Sequence, residues 1–239
     1  MDFFKHAYQI SIAAFLLLCS CSREQEKIPV IKDSLAFKNE VIPDTPKSVP
    51  LAVSLPPYHD SSLVRLSDLS AEFRFDMKYA TEDNFLKEKV YECDDCYLRY
   101  VTALALIKAN ELLLKKGLRL KLFDCYRPLS VQKKMWAIMP DKNYVANPYT
   151  SGSQHNRGVA VDLTIVDSSN TELDMGTPFD HFGVESHYNY PKLSGEVKVN
   201  RALLKNTMEA AGFKGIVTEW WHFSMGYYPL SDQILCDKK

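Results

Sequence analysis

The sequence predicts an α+β fold, with a central, mainly antiparallel sheet and flanking helices. Stretches with strand-like and helix-like patterns follow one another without regular strand–helix–strand units, and the 239 residues contain no internal repeat. The composition is typical of a globular protein, with 46% hydrophobic and 25% charged residues and a net charge of -1. The sequence has no basic patch or long Lys/Arg run, which argues against nucleic acid as a partner.

The first half of the domain predicts a strand, a helix and a second strand. Residues 71–80, AEFRFDMKYA, place Phe73 and Phe75 at strand spacing. Residues 101–117 are rich in helix formers and end on Gly117, a residue typical of helix C-termini. Residues 118–124, LRLKLFD, alternate leucine with Arg and Lys, which predicts a strand with one solvated face.

The second half predicts a helix, a buried strand, a helix and a final strand. The first helix follows Pro128 and ends at Met139, and the buried strand is the apolar end of SQHNRGVAVDLTI, residues 153–165. Residues 200–213 predict a helix with Asn200 as N-cap and Gly212 at its end. The β-branched and aromatic residues of 214–225 predict the last strand.

Residues 1–21 predict a lipoprotein signal peptide. The apolar core ends at Leu18 and is about 10 residues long, well short of the ~20 that a spanning helix needs. Leu18, Ser20 and Cys21 resemble a bacterial lipobox, which makes Cys21 the lipidated residue. Cys19 is the weaker alternative, and secretion without a lipid stays open. Residues 22–57 combine repeated proline with charged residues and serine, which predicts a flexible tether ahead of a folded domain at 58–239.

Asp162 lies in the apolar strand, where an ionised carboxylate needs a cationic partner because burying a bare charge is costly. His155 precedes it by seven residues, and Gly158 between them permits a close approach of the backbone. The stretch EWWH supplies Glu219 and His222. Two imidazoles and a carboxylate make a three-ligand zinc set with a fourth position for water, as in catalytic sites. Glu219 is then free to act as a base.

Each of these residues also has a plainer interpretation. Asp162 could pair with Arg157, His155 could be an ordinary hydrogen-bonded histidine, and EWWH could be an aromatic core strand with a polar edge. Their joint occurrence favours the metal site. Residues 219 and 222 of a regular strand point to opposite faces, so a bulge or the strand's end must turn one of them.

Two motifs, SxHxxGxAxD at residues 153–162 and ExWH at 219–222, resemble those of the zinc D,D-peptidases, which share a fold with the Hedgehog signalling domain. FDMKYATEDNF (75–85), LFDCYRP (122–128) and MGTPFDHF (175–182) are similar to segments of the D-alanyl-D-alanine dipeptidase branch, the group that includes the vancomycin-resistance dipeptidase. The resemblance spans about residues 65–228, in the same order.

The resemblance implies one zinc ion per chain, held by His155, Asp162 and His222. It also implies that Glu219 is the general base and then acid, and that Arg127 faces the developing oxyanion. The remaining matches are the substrate contacts Ser153, Tyr79 and Asp180, and Asp124, which supports the arginine.

The implied activity is zinc-dependent hydrolysis of the D-alanyl-D-alanine dipeptide to two D-alanines, with residues 58–239 as the catalytic domain. Together with the signal peptide, this indicates a lipid-anchored enzyme of the cell envelope. A closed pocket that caps both charged ends of the dipeptide is expected. Two alternatives stay open: a D,D-carboxypeptidase that trims peptidoglycan stem peptides, and a zinc-binding module without catalysis. The sequence does not indicate an oligomeric state.

Four cysteines of the domain predict disulfides in an exported protein. Cys93, Cys96, Cys125 and Cys236 allow up to two bonds, with three possible connectivities. A second zinc site on Cys93 and Cys96 is less favoured, because no other CxxC completes it. Cys125 stands where the family has glycine, and its side chain is expected to alter the turn that aims Arg127.

Overall fold

The computed structural model describes residues 58–236 of the chain. The predicted signal peptide, the lipidation site Cys21 and the predicted tether lie outside the described residues, as do residues 237–239. Within 58–236, no helix combines the length and the apolar character that crossing a membrane requires.

The described chain alternates short strands with helices in an irregular order. The strands are β1 (Leu63–Arg65), β2 (Arg74–Phe75), β3 (Tyr97–Arg99), β4 (Arg119–Asp124), β5 (Ala160–Val166), β6 (Lys214–Ile216) and β7 (Glu219–Ser224). The α-helices are α1 (Leu66–Leu69), α2 (Tyr100–Leu114), α3 (Leu129–Ile138) and α4 (Gly195–Ala210). Three 3-10 turns cover Lys78–Ala80, His155–Arg157 and Val184–Ser186.

Five strands form the main sheet in the order β2-β4-β5-β7-β6, and β1 pairs with β3 in a second, two-stranded sheet. The β2–β4 pair is parallel, and the other pairs between these strands are antiparallel. This arrangement confirms the predicted α+β class with a mainly antiparallel sheet.

Strand β5 is the centre of the sheet, and all seven of its residues are buried. Val161, Leu163 and Ile165 alternate along it and belong to one hydrophobic cluster with side chains of α2 and α4. Because successive side chains of a strand point to opposite faces, Asp162 lies on the face of β5 opposite to Val161, Leu163 and Ile165. The carboxylate therefore points into the cavity on that face, which core residues such as Tyr79 and Met135 also line.

Three sequence predictions need correction in detail. The predicted strand at 71–80 is reduced to β2, because a 3-10 turn follows at Lys78–Ala80. The predicted last strand is a hairpin of β6 and β7. The final helix begins at Gly195, and its N-cap is Ser194, whose hydroxyl accepts a hydrogen bond from the Val197 N–H at 3.1 Å. Asn200 is an interior residue of that helix, so the prediction of Asn200 as N-cap was wrong.

The four cysteines form two disulfides, Cys93–Cys236 and Cys96–Cys125. The sequence allowed three connectivities, and the structure has the one that pairs Cys93 with Cys236 and Cys96 with Cys125. A second zinc site on Cys93 and Cys96 is excluded, because both sulfurs are bonded elsewhere.

Candidate metal centre and active site

Three polar residues lie side by side across the middle of the main sheet. Asp162 of β5 is the register partner of Asp124 in β4 on one side and of His222 in β7 on the other. Directly opposed residues of an antiparallel pair point to the same face of the sheet. The sheet therefore brings together three side chains from distant parts of the sequence, on the face opposite to Val161, Leu163 and Ile165.

The fourth side chain, His155, comes from the 3-10 turn that precedes β5. This turn ends at Gly158, whose φ of +72° is in the left-handed region that favours glycine. A Cβ at that position would lie 2.7 Å from the Leu63 side chain. The left-handed backbone therefore favours glycine, a larger residue would also have to displace the Leu63 side chain, and the turn directs the His155 ring back over β5.

His155, Asp162 and His222 present three donor atoms at the spacing of a metal site. His155 Nε2 lies 3.3 Å from Asp162 Oδ2 and 3.3 Å from His222 Nδ1, and His222 Nδ1 lies 2.9 Å from Asp162 Oδ1. Tetrahedral zinc with bonds of about 2.0–2.1 Å holds neighbouring ligand atoms about 3.3 Å apart. All three side chains are buried, and in the described part of the chain this is the one group of three or more such residues close enough to hold an ion.

The surroundings fix the His155 ring and its charge. Its Nδ1 lies 2.7 Å from the Cys125 carbonyl oxygen, which can only accept, so Nδ1 carries a hydrogen and Nε2 faces the other two ligands. Burial alone lowers the pKa of His155, but Asp162 and Asp124 raise it to about 9. Burial alone raises the pKa of Asp162, whereas His155 and His222 bring it below its usual range. In the absence of a metal ion, the two carboxylates therefore favour a proton on His155.

Glu219 reaches the same site from the first position of β7. The β6–β7 pairing shifts register between Gly215 and Ile216, and Ile216 is paired with Glu219. The strand's end and this irregularity account for Glu219 and His222 lining one cavity despite their odd spacing. Burial, with a smaller contribution from Asp162, raises the pKa of Glu219 above its ordinary value. A carboxylate with a raised pKa is a stronger base, as proton transfer near neutral pH requires.

The Arg127 guanidinium is buried and held on three sides. It donates from Nη2 to Asp124 Oδ2, from Nη1 to Gln132 Oε1 at 2.8 Å, and from Nε to the Tyr91 hydroxyl at 3.3 Å. Its carbon centre lies 5.1 Å from the centroid of the Tyr79 ring. Burial alone lowers the pKa of Arg127, and Asp124 more than compensates, so the group stays charged. These three bonds use three of its five N–H groups, which leaves donors for an oxygen in the cavity.

A cavity of about 270 Å³ joins these groups, and all the residues predicted for the active site except Asp124 line it. Asp124 lies behind Arg127 and supports it. Tyr79 donates a hydrogen bond of 2.8 Å to Asp180 Oδ2, and Asp180 has a φ of +57°, a strained value for a residue with a side chain. Ser153 Oγ accepts a bond from the His155 N–H at 3.3 Å, so its own hydrogen remains available.

The pairing of Asp162 with Arg157 that the sequence left open does not occur. Arg157 instead donates to the carbonyl oxygens of Tyr228, at 2.7 Å, and Ser151, at 2.8 Å.

Sequence reasoning missed two residues that hold Arg127, namely Tyr91 and Gln132. The Tyr91 hydroxyl donates to Asp124, and the Gln132 amide also donates to the Ala146 carbonyl. Gln132 is fully buried in α3, one turn from Arg127, and a polar residue on the apolar face of a helix could have signalled its role. Tyr91 lies in a stretch without periodicity, so no sequence signal marks it.

Two imidazoles, a carboxylate ligand, a free carboxylate and a buried guanidinium around one cavity define a mononuclear metallohydrolase. Residues 59–239 match the model of peptidase family M15, described as D-ala-D-ala dipeptidase. The chain belongs to this family of zinc metallopeptidases. The chain is similar to the D-alanyl-D-alanine dipeptidase of Escherichia coli (strain K12), with 37% identity over 74% of this chain and 93% of that protein.

The dipeptidase of Enterococcus faecium is 34% identical over 66% of this chain and 88% of its own length. Among solved structures, VanYB in complex with D-alanine-D-alanine has 15% identity and a TM-score of 0.36, over 56% of this chain and 75% of that chain.

Proposed function

We propose that this protein hydrolyses the D-alanyl-D-alanine dipeptide to two D-alanines with one bound zinc ion. The proposal rests mainly on one cavity that is lined by the three residues able to hold zinc. The same cavity is lined by the carboxylates of Glu219 and Asp180 and by the guanidinium of Arg127. The E. coli and E. faecium relatives are named for this activity. At about 270 Å³ the cavity is slightly smaller than the ~300–1,000 Å³ usual for ligand sites, which suits a small substrate.

The chain's own residues supply the remaining parts of the reaction. His155, Asp162 and His222 would hold zinc, which when bound polarises the scissile carbonyl and strengthens water as a nucleophile near neutral pH. Glu219 takes the proton from the attacking water and delivers it to the leaving amine. The remaining Arg127 donors stabilise the carbonyl oxygen as it gains negative charge. A zinc module without catalysis would need neither Glu219 nor Arg127.

Asp180 favours a dipeptide over a longer peptide. Its pKa is raised well above the ordinary value because burial and the nearby Asp162 oppose its charge. Within residues 58–236 its hydrogen-bond partner is the Tyr79 hydroxyl, and no cationic side chain pairs with it. A free ammonium group would pair with the Asp180 carboxylate and stabilise its charge. The first residue of a dipeptide has such a group beside the scissile bond. A stem peptide has an amide nitrogen there instead.

The test compares D-alanyl-D-alanine with its N-acetylated form and with a pentapeptide stem. We expect release of D-alanine from the free dipeptide alone, and Asp180→Asn should raise KM for it while zinc content stays at one per chain. Faster release of D-alanine from the pentapeptide than from the dipeptide would instead identify a D,D-carboxypeptidase.

The predicted lipid anchor is part of the same proposal. Two disulfides in the described domain favour an oxidising compartment, and so favour export. A lipidated Cys21 would then hold the enzyme in the cell envelope, where it would turn over wall fragments or recover D-alanine. Labelling cells with a radioactive fatty acid tests this. We expect label on the wild-type chain and none on Cys21→Ala, and wild-type protein without label in the cytosolic fraction would reject the anchor.

A further inference from the structure

The loop from Asp124 to Arg127 and the turn that carries His155 are bonded to each other at several points. Besides the bond between His155 Nδ1 and the Cys125 carbonyl, the Arg127 N–H donates to the His155 carbonyl oxygen at 3.1 Å. Asn156 Nδ2 donates to the Arg127 carbonyl oxygen at 2.8 Å. A shift of this loop would therefore move a metal ligand and the guanidinium together.

Cys125 lies in the middle of that loop and is tied covalently to the segment before β3. Its side chain is fully buried and bonded to Cys96, and next to it the Tyr126 N–H donates to the Tyr97 carbonyl oxygen at 2.9 Å. The same segment carries Tyr91, whose hydroxyl reaches Asp124. The disulfide thus fixes the residue whose carbonyl oxygen orients His155.

We infer that the Cys96–Cys125 disulfide is a positioning device for the active site, which holds His155 Nε2 toward the metal and Arg127 toward the cavity. The effect on turnover rests on the proposed function, whereas the effect on zinc affinity does not. Groups that orient a metal ligand typically contribute 10–100-fold to metal affinity. Without the disulfide the Cys125 carbonyl is held by non-covalent contacts alone, so the His155 ring gains freedom to turn.

The second disulfide offers a matched control. Cys93–Cys236 starts from the same short segment but closes a span of 143 residues, against 29 for Cys96–Cys125. Among the described residues, neither Cys93 nor Cys236 is hydrogen-bonded to His155 or Arg127, whereas the Cys125 carbonyl oxygen accepts from His155 Nδ1. A disulfide that acts only as a staple stabilises more when its span is longer. Loss of Cys93–Cys236 is therefore expected to lower the stability of the fold more. Loss of Cys96–Cys125 is expected to weaken zinc binding more.

The experiment compares Cys96→Ala/Cys125→Ala with Cys93→Ala/Cys236→Ala. Zinc dissociation constants are measured by competition with a chromophoric chelator, and kcat and KM with D-alanyl-D-alanine. We expect the first variant to bind zinc about tenfold or more weakly and to lose kcat more than KM. The second variant should stay within about twofold of wild type in both, although its thermal midpoint falls further. Equal effects of the two variants on zinc affinity would overturn the inference.

Reduction provides the same test if the first variant fails to fold. In Cys93→Ala/Cys236→Ala the remaining disulfide is Cys96–Cys125. A phosphine converts it to two thiols by supplying two electrons, is itself oxidised to the phosphine oxide, and two protons come from water. Zinc affinity should fall while far-ultraviolet circular dichroism is unchanged, and reoxidation should restore it. If zinc were lost only together with secondary structure, the disulfide would merely stabilise the fold, and the inference would be wrong.

If the wild-type chain shows no activity on the dipeptide, the proposed function fails, and the zinc measurements still decide this inference.

Discussion

Zinc binding should depend steeply on pH, because the metal must displace a proton from His155. In the metal-free site Asp162 and Asp124 outweigh the effect of burial and raise the pKa of His155 to about 9. Zinc binds the neutral imidazole, so each unit of pH below 9 lowers the fraction of protein ready for the ion about tenfold. If the pKa of His155 were the ordinary value of about 6.5, protons would compete with the ion for its imidazole only below neutral pH.

The two cases differ enough to be separated. With a pKa of about 9, the deprotonated fraction of His155 falls about 90-fold between pH 8 and pH 6. With an ordinary pKa of about 6.5 it falls only about 4-fold. Near pH 7 the raised pKa also means that about one proton leaves the protein for each zinc ion bound.

The measurement is a zinc competition titration at pH 6, 7 and 8, corrected for the known proton competition of the chelator. Calorimetry in buffers of different ionisation enthalpy counts the released protons. Asp124→Asn provides the control, since it removes one of the two carboxylates that raise the pKa and should flatten the dependence. A change of about 4-fold between pH 8 and 6, with only about a quarter of a proton released per zinc ion at pH 7, would show that the two carboxylates do not hold a proton on His155.

Three further predictions concern the base, the guanidinium and the turn. Glu219→Gln should lower kcat by about 10²–10⁴ while one zinc per chain remains, measured by D-alanine release and metal analysis. Arg127→Lys should lower kcat by about 10²–10³, because an ammonium cannot serve Asp124, Gln132 and Tyr91 and still face the cavity, whereas unchanged kcat would remove Arg127 from catalysis. Gly158→Ala should cost at least about 1–2 kcal/mol in urea unfolding because of its positive φ and the close Leu63 side chain. Gly195→Ala, at an open position with an ordinary φ in α4, should be neutral or stabilising, and equal effects at the two glycines would contradict the backbone argument.

The sequence could predict that His155, Asp162 and His222 come together, because each lies in a pattern with a local physical reason. Asp162 interrupts an apolar strand, Gly158 precedes it, and EWWH puts polar residues at the end of an aromatic strand. The strands around them follow from alternation and from apolar runs. That Asp124, Asp162 and His222 are register partners follows from the order of strands in the sheet, which periodicity does not encode.

What the sequence could not predict depends on contacts between distant segments. Cys93 and Cys96 are three positions apart, so spacing cannot decide which of them meets Cys125. The Tyr91 hydroxyl becomes a site residue only because its segment packs against β4. The N-cap of α4 was misplaced because Ser194 and Asn200 are both good caps, and the apolar pattern is weak over the first turn of the helix.

The residues in and directly behind the cavity carry an excess of negative charge. Three carboxylates and two cations line the cavity: Asp162, Asp180 and Glu219 against Arg127 and Lys142. Asp124 behind Arg127 adds a fourth carboxylate, so four negative and two positive charges leave -2 with neutral histidines. In the absence of the ion, Asp162 and Asp124 raise the pKa of His155, whereas burial is the main cause of the raised pKa values of Asp180 and Glu219, with a smaller contribution from Asp162. One divalent ion cancels the same excess, and a dipeptide with one ammonium and one carboxylate then enters without adding net charge.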